Sequence, residues 1–445
     1  MRTLGYCELF FKTLFFPALP KKWQEKIRKR RLEKLVIYVK KNSPFFREYY
    51  KNIGDDFDIT DLPITNKQTI LDHFDDWATD RNITLANCEE FLADMDNKSK
   101  RFLGKYLLVA TSGSTGFPAI IVHDRTTANV SSIISLLRGF GGMFPMANIC
   151  VNDGFGIDNC TIEQSTGGMP ILKKVLRIVD SRQPIEDTVK ELNEFKPRVI
   201  IGYTSAIYML IPEIKSGRLR INPKFALTSG EFLSERMRRE ISEAFHCKVH
   251  SIYGCTEGGT LGFECQYNHK HLNEDWTYIE PVDENNNPVK PGEHSAKLLL
   301  TNLSNSTFPI IRYEVTDRII YHDEGCACGK KSPWIEIEGR TSDILYFEND
   351  QNEKVGIPLM TLYDIIDLRG RRHFQLILRP HNHIEFRFVE EDPAKKPLIF
   401  EEIKEDILAY LANQGINKVC MELSADEPKR EENRRKFRSI YQVEE

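Results

Sequence analysis

Apolar and polar positions change rhythm twice along the 445-residue chain. Over residues 23–51, Ile27, Leu35, Val36 and Val39 fall on one helical face, and Asn42-Ser43-Pro44 punctuates the run. Residues 60–80 predict a turn and then a helix, with Thr65 or Asn66 as the cap ahead of Lys67. From about residue 105, short apolar runs alternate with helical spacing, the texture of an α/β layered structure. Buried strands are predicted at 106–110, 199–202, 225–228 and 249–253, and helices at 127–138, 185–195, 204–215 and 233–245. After 276 the pattern turns β-rich, with strands at 276–280, 296–300 and 310–313 and a turn over 283–288. From about 341 a smaller unit follows. It has strands near 373–379 and 384–389, a helix at 400–413, a strand at 418–423 and a charged tail. No internal repeat is visible. The boundary falls just after Gly339-Arg340, which divides the chain into 1–340 and 341–445.

Composition narrows the class. With 41% hydrophobic and 28% charged residues, the chain has the apolar mass of a soluble globular protein. That excludes a disordered chain, a collagen and a small disulfide scaffold. A net charge of −4 gives no electrostatic reason to expect nucleic-acid binding. The most apolar segment, Leu9 to Pro20, is broken by Lys12 and two prolines. It falls short of the roughly 18–20 residues of a membrane span, so no transmembrane segment and a cytoplasmic location are expected. A basic run follows it: Lys21, Lys22, Lys26, Arg28, Lys29, Arg30 and Arg31. It reads as a membrane-surface patch or as the solvated face of an N-terminal helix, and the ordinary amphipathic pattern favours the second. The ten cysteines are scattered except for one cluster, so no secreted-type disulfide ladder is present.

Four local signals carry candidate chemistry. Thr111-Ser112-Gly113-Ser114-Thr115-Gly116-Phe117-Pro118 follows a predicted strand and is dense in hydroxyls and glycines. Such a loop lets backbone N–H groups approach a polyphosphate, although it also reads as a Ser/Gly surface loop. It ends in no Gly-Lys-Ser/Thr and holds no G-x-G-x-x-G. Tyr253-Gly254-Cys255-Thr256-Glu257-Gly258-Gly259 also ends a predicted strand, where α/β sheets bind ligands and a carboxylate can hold Mg²⁺. The third and fourth are Arg312-Tyr313-Glu314-Val315-Thr316-Asp317-Arg318 and Gly339-Arg340-Thr341-Ser342-Asp343, in which an acid and a fixed Arg suit a ribose. Each alone reads equally as a surface ion pair.

In this order the four pieces resemble the adenylate-forming superfamily, and most of all its phenylacetate:CoA ligase-like branch. The resemblance runs from Asn42-Ser43-Pro44-Phe45-Phe46-Arg47 to the C-terminus. It implies an α/β (mixed α+β) fold: a large multi-layer N-terminal domain of sheets flanked by helices, and a small mobile α+β C-terminal domain. It implies ATP, Mg²⁺ and coenzyme A, and conversion of an aryl or bulky carboxylic acid to an acyl-adenylate and then a thioester. By the same resemblance, residues 111–116 embrace the β- and γ-phosphates, Gly230-Glu231 lies near the adenine and Tyr253 stacks on it. Thr256 touches the α-phosphate, Glu257 helps bind Mg²⁺, and Asp317 and Arg340 hold the ribose. Lys436, within Arg434-Arg435-Lys436-Phe437-Arg438, is the mobile catalytic lysine, with Lys429 as the alternative. Asp343 is the hinge candidate, and Tyr203, Tyr208 and Phe232 are candidates to line the acyl pocket.

The chain departs from the superfamily pattern at three places. Ala119 stands where many members carry a Lys, Arg435 replaces the glycine before the catalytic Lys, and 346–358 lacks the Gly-rich pattern near the hinge, which counts against a normal coenzyme A tunnel. A carrier-protein pantetheine or an amine is the alternative acceptor, and a non-catalytic nucleotide-binding homologue is a further alternative. Oligomeric state stays open, a dimer included. A fifth signal is metal-like. Cys265 and His271 precede Cys326-Ala327-Cys328, which meets the Cys₃His count of a structural zinc site, with His269 and His322 as competing ligands. The resemblance supports the set Cys265, His271, Cys326 and Cys328. Buried reduced thiols are the plain alternative.

Overall fold

The computed structural model describes residues 5–110, 119–139, 141–152, 155–166, 174–340, 344–368, 373–390, 392–429 and 437–443. The chain divides into two compact units, residues 1–315 with 319–336 and residues 316–318 with 337–445. Among the described residues no helix is long and apolar enough to cross a membrane.

The first unit opens with helices α1 (Tyr6–Phe15), α2 (Lys21–Asn42), α3 (Pro44–Tyr49) and α4 (Lys67–Asp72). In α2 the apolar stripe Leu32, Leu35, Val36 and Val39 is buried. Ser43 then ends α2 and caps α3 by accepting from the Phe46 amide. Of the two candidate caps for α4, Asn66 takes the role and accepts from Thr69 N at 2.9 Å. Thr65 instead donates its hydroxyl to the Ile311 carbonyl at 2.9 Å.

Strands β1 (Leu107–Ala110) and β2 (Ile120–His123) pair antiparallel and are wholly buried. Then come β3 (Met146–Cys150), β4 (Leu176–Asp180), β5 (Val199–Tyr203), β6 (Phe225–Ser229), β7 (Lys248–Cys255), β8 (Gly259–Glu264) and β9 (Lys270–Leu272). A three-stranded sheet holds β10 (Thr277–Val282), β11 (Lys297–Asn302) and β12 (Tyr313–Val315). With β13 (Asp317–His322) and β14 (Trp334–Arg340), the large sheet runs β13-β14-β9-β8-β7-β6-β5-β3-β4. Its β4-β3-β5-β6-β7 stretch is parallel.

Two sequence expectations are corrected. The helix expected over 204–215 is two short helices, Thr204–Tyr208 and Ile211–Lys215, because Pro212 opens the second and has no N–H with which to continue the first. The strand expected at 310–313 starts only at Tyr313, since Arg312 takes a left-handed φ of 44°. That turn aims the Arg312 guanidinium at Glu280, 3.1 Å away, and at the carbonyls of Leu62 (2.7 Å) and Thr60 (3.0 Å).

The second unit holds a hairpin of β15 (Ile344–Glu348) and β16 (Lys354–Pro358) and a helix at Leu359–Leu368. Strands β17 (Phe374–Arg379), β18 (His383–Phe388), β19 (Cys420–Leu423) and β20 (Ile440–Gln442) form a sheet in the order β19-β18-β17-β20, with a helix at Lys396–Asn413. Phe347, Phe374, Phe386, Phe388, Ile403 and Ile407 fill its core.

Replacing Arg312 by Met leaves the largely buried Glu280 carboxylate without its cation. A loss of about 3 kcal/mol in the stability of the first unit is expected, read from the denaturant midpoint, with partial recovery on adding Glu280→Gln.

Candidate functional site

The candidate site is built at the carboxyl ends of β5, β6 and β7. Tyr203 pairs with Ser229, and Ser229 with Ile252, so Thr204, Gly230 and Tyr253 leave adjacent strands side by side. The Glu231 carboxylate accepts from the Ser205 amide at 2.8 Å, which ties the loop after β6 to the first turn of the helix Thr204–Tyr208. Tyr253 is buried in β7, and the register then slips between Tyr253 and Gly254. A Cβ at Gly254 would stand 2.6 Å from the Gly259 carbonyl oxygen, so only glycine permits this close approach. Pairing resumes at Gly254 and Cys255, opposite Thr260 and Gly259, so Thr256 and Glu257 sit in the tight turn that joins β7 to β8.

Thr256 and Glu257 are then held by groups from distant segments. The Thr256 carbonyl accepts from His123 Nε2 at 2.8 Å, and the Glu257 carbonyl accepts from Asn302 Nδ2 at 3.2 Å. The Tyr313 hydroxyl donates to the Glu257 side chain; burial first, then the nearby negative charge, holds that phenol far above its usual pKa. Burial lowers the Lys67 ammonium, and the attraction of Glu257 works against that shift. His123 is fully buried, which pushes its pKa down to about 4. It is therefore the neutral tautomer with its proton on Nε2, because its partner is a carbonyl.

A polar segment, Asn302–Thr307, braces this arrangement from behind. Asn305 donates to the Val122 carbonyl at 2.9 Å and accepts from Phe308 N at 3.2 Å. The Asp124 carboxylate accepts from Ser306 N at 3.1 Å and caps the helix Arg125–Ile134 by accepting from Thr127 N at 3.0 Å.

The other expected site residues are distributed as follows. Thr111, Ser112, Gly113, Ser114, Thr115, Gly116, Asp343 and Lys436 lie outside the described residues. The segment that holds the first six joins β1 to β2, whose pairing extends to Ala110 and Ile120. Asp317 is buried and opens β13, and Arg340 closes β14. Lys429 pairs with Asp426 at 3.1 Å, and its backbone is held by Gln375. Tyr203 and Tyr208 are buried, the latter donating to Glu240 at 2.5 Å, while Phe232 is exposed. Sequence reasoning missed His123, Asn302 and Lys67. Only His123 left a trace, as a polar end to the apolar run Ile120-Ile121-Val122.

A second cluster forms where β8 turns into β9. The donor atoms of Cys265, His271, Cys326 and Cys328 all lie within 4.8 Å of one another. The Cys265 and Cys326 sulfurs are 3.8 Å apart, and His271 Nε2 is 3.3 Å from the Cys328 sulfur. His271 Nδ1 donates to the Ser332 carbonyl at 3.0 Å, which leaves Nε2 as a lone pair facing the thiols. Amides of Tyr267 and Cys328 lie 3.4 Å from the Cys265 and Cys326 sulfurs. His269 Nδ1 also lies 3.3 Å from the Cys326 sulfur, but His269 is not among the four donors that are all mutually close; His269 and His322 each stack on Trp334 with centroids 3.7 Å away. Three thiols and one imidazole nitrogen suit a thiophilic metal ion.

No family model matches the chain. It is 23% identical to a phenylacetate-coenzyme A ligase of Thermus thermophilus over 410 residues, 88% of this chain and 86% of that protein. It is 25% identical to an indoleacetate–lysine synthetase of Pseudomonas savastanoi, over 53% of this chain and 59% of that protein. In fold it matches 2-hydroxyisobutyryl-CoA ligase, solved in the postadenylation state with R3-HIB-AMP. The TM-score is 0.71 at 16% identity, covering 96% of this chain and 91% of that one.

Because the unfolded chain binds the His123 proton more tightly, the stability this side chain contributes is complete above pH 6.5 and is lost as the pH falls through 4. His123→Asn keeps a donor for Thr256 and does not titrate. It is expected to remove on the order of 3 kcal/mol of the acid-induced loss, measured as the change in urea midpoint between pH 7 and pH 4.5.

Proposed function

We propose that this chain, which belongs to the adenylate-forming superfamily and is similar to its phenylacetate:CoA ligase-like branch, uses ATP to activate a carboxylic acid as an acyl-adenylate and passes the acyl group to the thiol of coenzyme A. The observation that carries this reading is the edge of the parallel sheet. There Gly230-Glu231 and Tyr253–Glu257 leave adjacent strands, and His123, Asn302 and Tyr313 fix the Thr256-Glu257 turn.

A carboxylate oxygen is too poor a leaving group for direct acyl transfer. The carboxylate therefore attacks the α-phosphate of ATP, the bond to the β-phosphate breaks and pyrophosphate departs. The thiol then attacks the acyl carbon, loses its proton and releases AMP. The protein's part in the first step is positioning and charge neutralisation. In this reading the 111–116 loop cradles the β- and γ-phosphates and Thr256 contacts the α-phosphate. Tyr253 and Glu231 flank the adenine, and Asp317 with Arg340 holds the ribose. Glu257, an oxygen donor steadied by Tyr313, suits Mg²⁺, which offsets phosphate charge when bound. Lys436 bridges the acyl carboxylate and the α-phosphate. Tyr203, Tyr208 and Phe232 incline the pocket to an aryl or bulky acid.

The cysteine cluster fits structural zinc. Zn–S bonds of about 2.3 Å in a tetrahedron set sulfurs about 3.8 Å apart, the spacing of Cys265 and Cys326. Four protein donors would leave no open position, so Cys265, His271, Cys326 and Cys328 would hold the ion as a structural clamp between the 265–271 and 326–328 turns. A second acceptor, an amine, is supported by the similarity to the indoleacetate–lysine synthetase.

The test is pyrophosphate release from ATP-Mg²⁺ across aryl, fatty and amino acids, with and without coenzyme A. Release with one acid, accelerated by coenzyme A, is expected; release that coenzyme A leaves unchanged, with an amide as product, moves the acceptor to an amine, and silence across the panel overturns the ligase reading. Lys436→Ala is expected to abolish adenylation and spare thioester formation from preformed acyl-adenylate; retained adenylation overturns the Lys436 assignment. Metal analysis of the purified chain is expected to find one zinc per chain, falling to a small fraction of that in Cys328→Ser.

A further inference from the structure

We propose that the outward face of α1 and the basic start of α2 dock this chain on an anionic lipid surface. Helix α1 is apolar on both sides. Its inward side, Leu9 with Thr13, is buried; Leu9 packs with Val130, Ile133, Ile134 and Trp276, and the Thr13 hydroxyl accepts from the Trp276 indole at 3.0 Å. Its outward side should then be polar, and it is not. Phe11, Leu14 and Phe15, at i, i+3 and i+4, are 55%, 42% and 59% exposed. The Phe11 and Phe15 rings stack at 6.1 Å, so the patch is continuous along the helix. The two charges of α1, Glu8 and Lys12, bond to each other at 2.7 Å. The charged helix that the sequence favours over residues 21–31 does form, as the start of α2, and the apolar outward face belongs to α1 just before it.

The adjoining segment supplies the sign of the partner. Residues 21–31 hold seven basic side chains and one acidic one, in a chain of net charge −4. Three of the seven turn toward protein carboxylates or rings: Arg28 to Glu274 at 2.8 Å, Arg31 onto Trp276 at 3.7 Å and Lys29 to Asp58 at 3.6 Å. Lys21, Lys22, Lys26 and Arg30 are exposed. Among them stands Trp23, 57% exposed, with the Lys26 ammonium over its ring at 5.6 Å. Exposed aromatics beside lysines suit the boundary between headgroups and acyl chains, where rings embed and ammoniums meet lipid phosphates. At ten residues α1 is far too short to span a bilayer, so it lies on the surface. A second copy is the poorer occupant, because a two-fold contact over this patch would gather two basic segments into one interface.

The test is co-sedimentation of the whole chain with vesicles of phosphatidylcholine alone and of phosphatidylcholine mixed with phosphatidylserine. Trp77, Trp276 and Trp334 are buried, so Trp23 serves as the optical reporter. Binding to the mixed vesicles is expected at low salt, at least tenfold tighter than to the neutral ones, with a blue shift of emission that Trp23→Phe removes. The combined variant Phe11→Ser/Leu14→Ser/Phe15→Ser and the combined variant Lys22→Glu/Lys26→Glu/Arg30→Glu are each expected to weaken binding on the order of a hundredfold. Neither is expected to change pyrophosphate release in solution or the thermal midpoint. Absence of wild-type binding to the mixed vesicles at low salt overturns the proposal. So does a wild-type dimer in light scattering that the first variant dissolves, which assigns the face to a second copy.

Discussion

The segment Asn302–Thr307 is the constraint on which the candidate site rests. It is polar and largely buried, and its side chains bond to β2, to the cap of the helix Arg125–Ile134 and to the Thr256-Glu257 turn. A buried amide or hydroxyl left without a partner costs about 1–3 kcal/mol, so each such group tolerates only the arrangement that satisfies it. An apolar packing in the same place would accept small slips of β2 against the turn. This one does not, because a slip would orphan several donors at once. His123 extends the same logic, as its one protonated nitrogen has the Thr256 carbonyl as its partner.

A parallel arrangement fixes the N-terminal segment. Thr65 exchanges backbone bonds with Arg312 and Glu314, and the Arg312 guanidinium collects the carbonyls of Thr60 and Leu62. That places Lys67, at the start of α4, within electrostatic reach of Glu257. The unusual φ of Arg312 thus has a visible use. It breaks an apolar run to join the N-terminal region to the sheet that carries Tyr313.

The sequence made the parallel strands legible because strands buried on both faces are written as unbroken apolar runs, as in Val199-Ile200-Ile201. Strands β3 and β4 escaped notice for the converse reason: Asn148 interrupts one, and Arg177 and Asp180 interrupt the other. The β15–β16 hairpin carries no glycine at its turn to mark it; Asn352 takes the left-handed φ of 61° there. The cysteine cluster was legible by residue type, but not which histidine completes it: both His269 and His271 reach a thiol at 3.3 Å, and only His271 lies within 4.8 Å of all three sulfurs. Asn302 and Lys67 were beyond reach of the sequence, since their importance lies in contacts that span 45 and 190 residues of chain.

The close approach of Gly254 to the Gly259 carbonyl has a consequence for how such a protein can diverge. Any codon change that alters residue 254 adds at least one carbon where 2.6 Å is available, and the φ of 69° at Gly259 penalises replacement there as well. The turn that presents Thr256 and Glu257 therefore has almost no viable neighbours in sequence space. Phe232, 43% exposed on the loop after β6, has many. Mutation can wander among the side chains proposed to meet the acid while the turn proposed to face the phosphates stands still, so lineages of this fold are free to change what they activate long before they can change how.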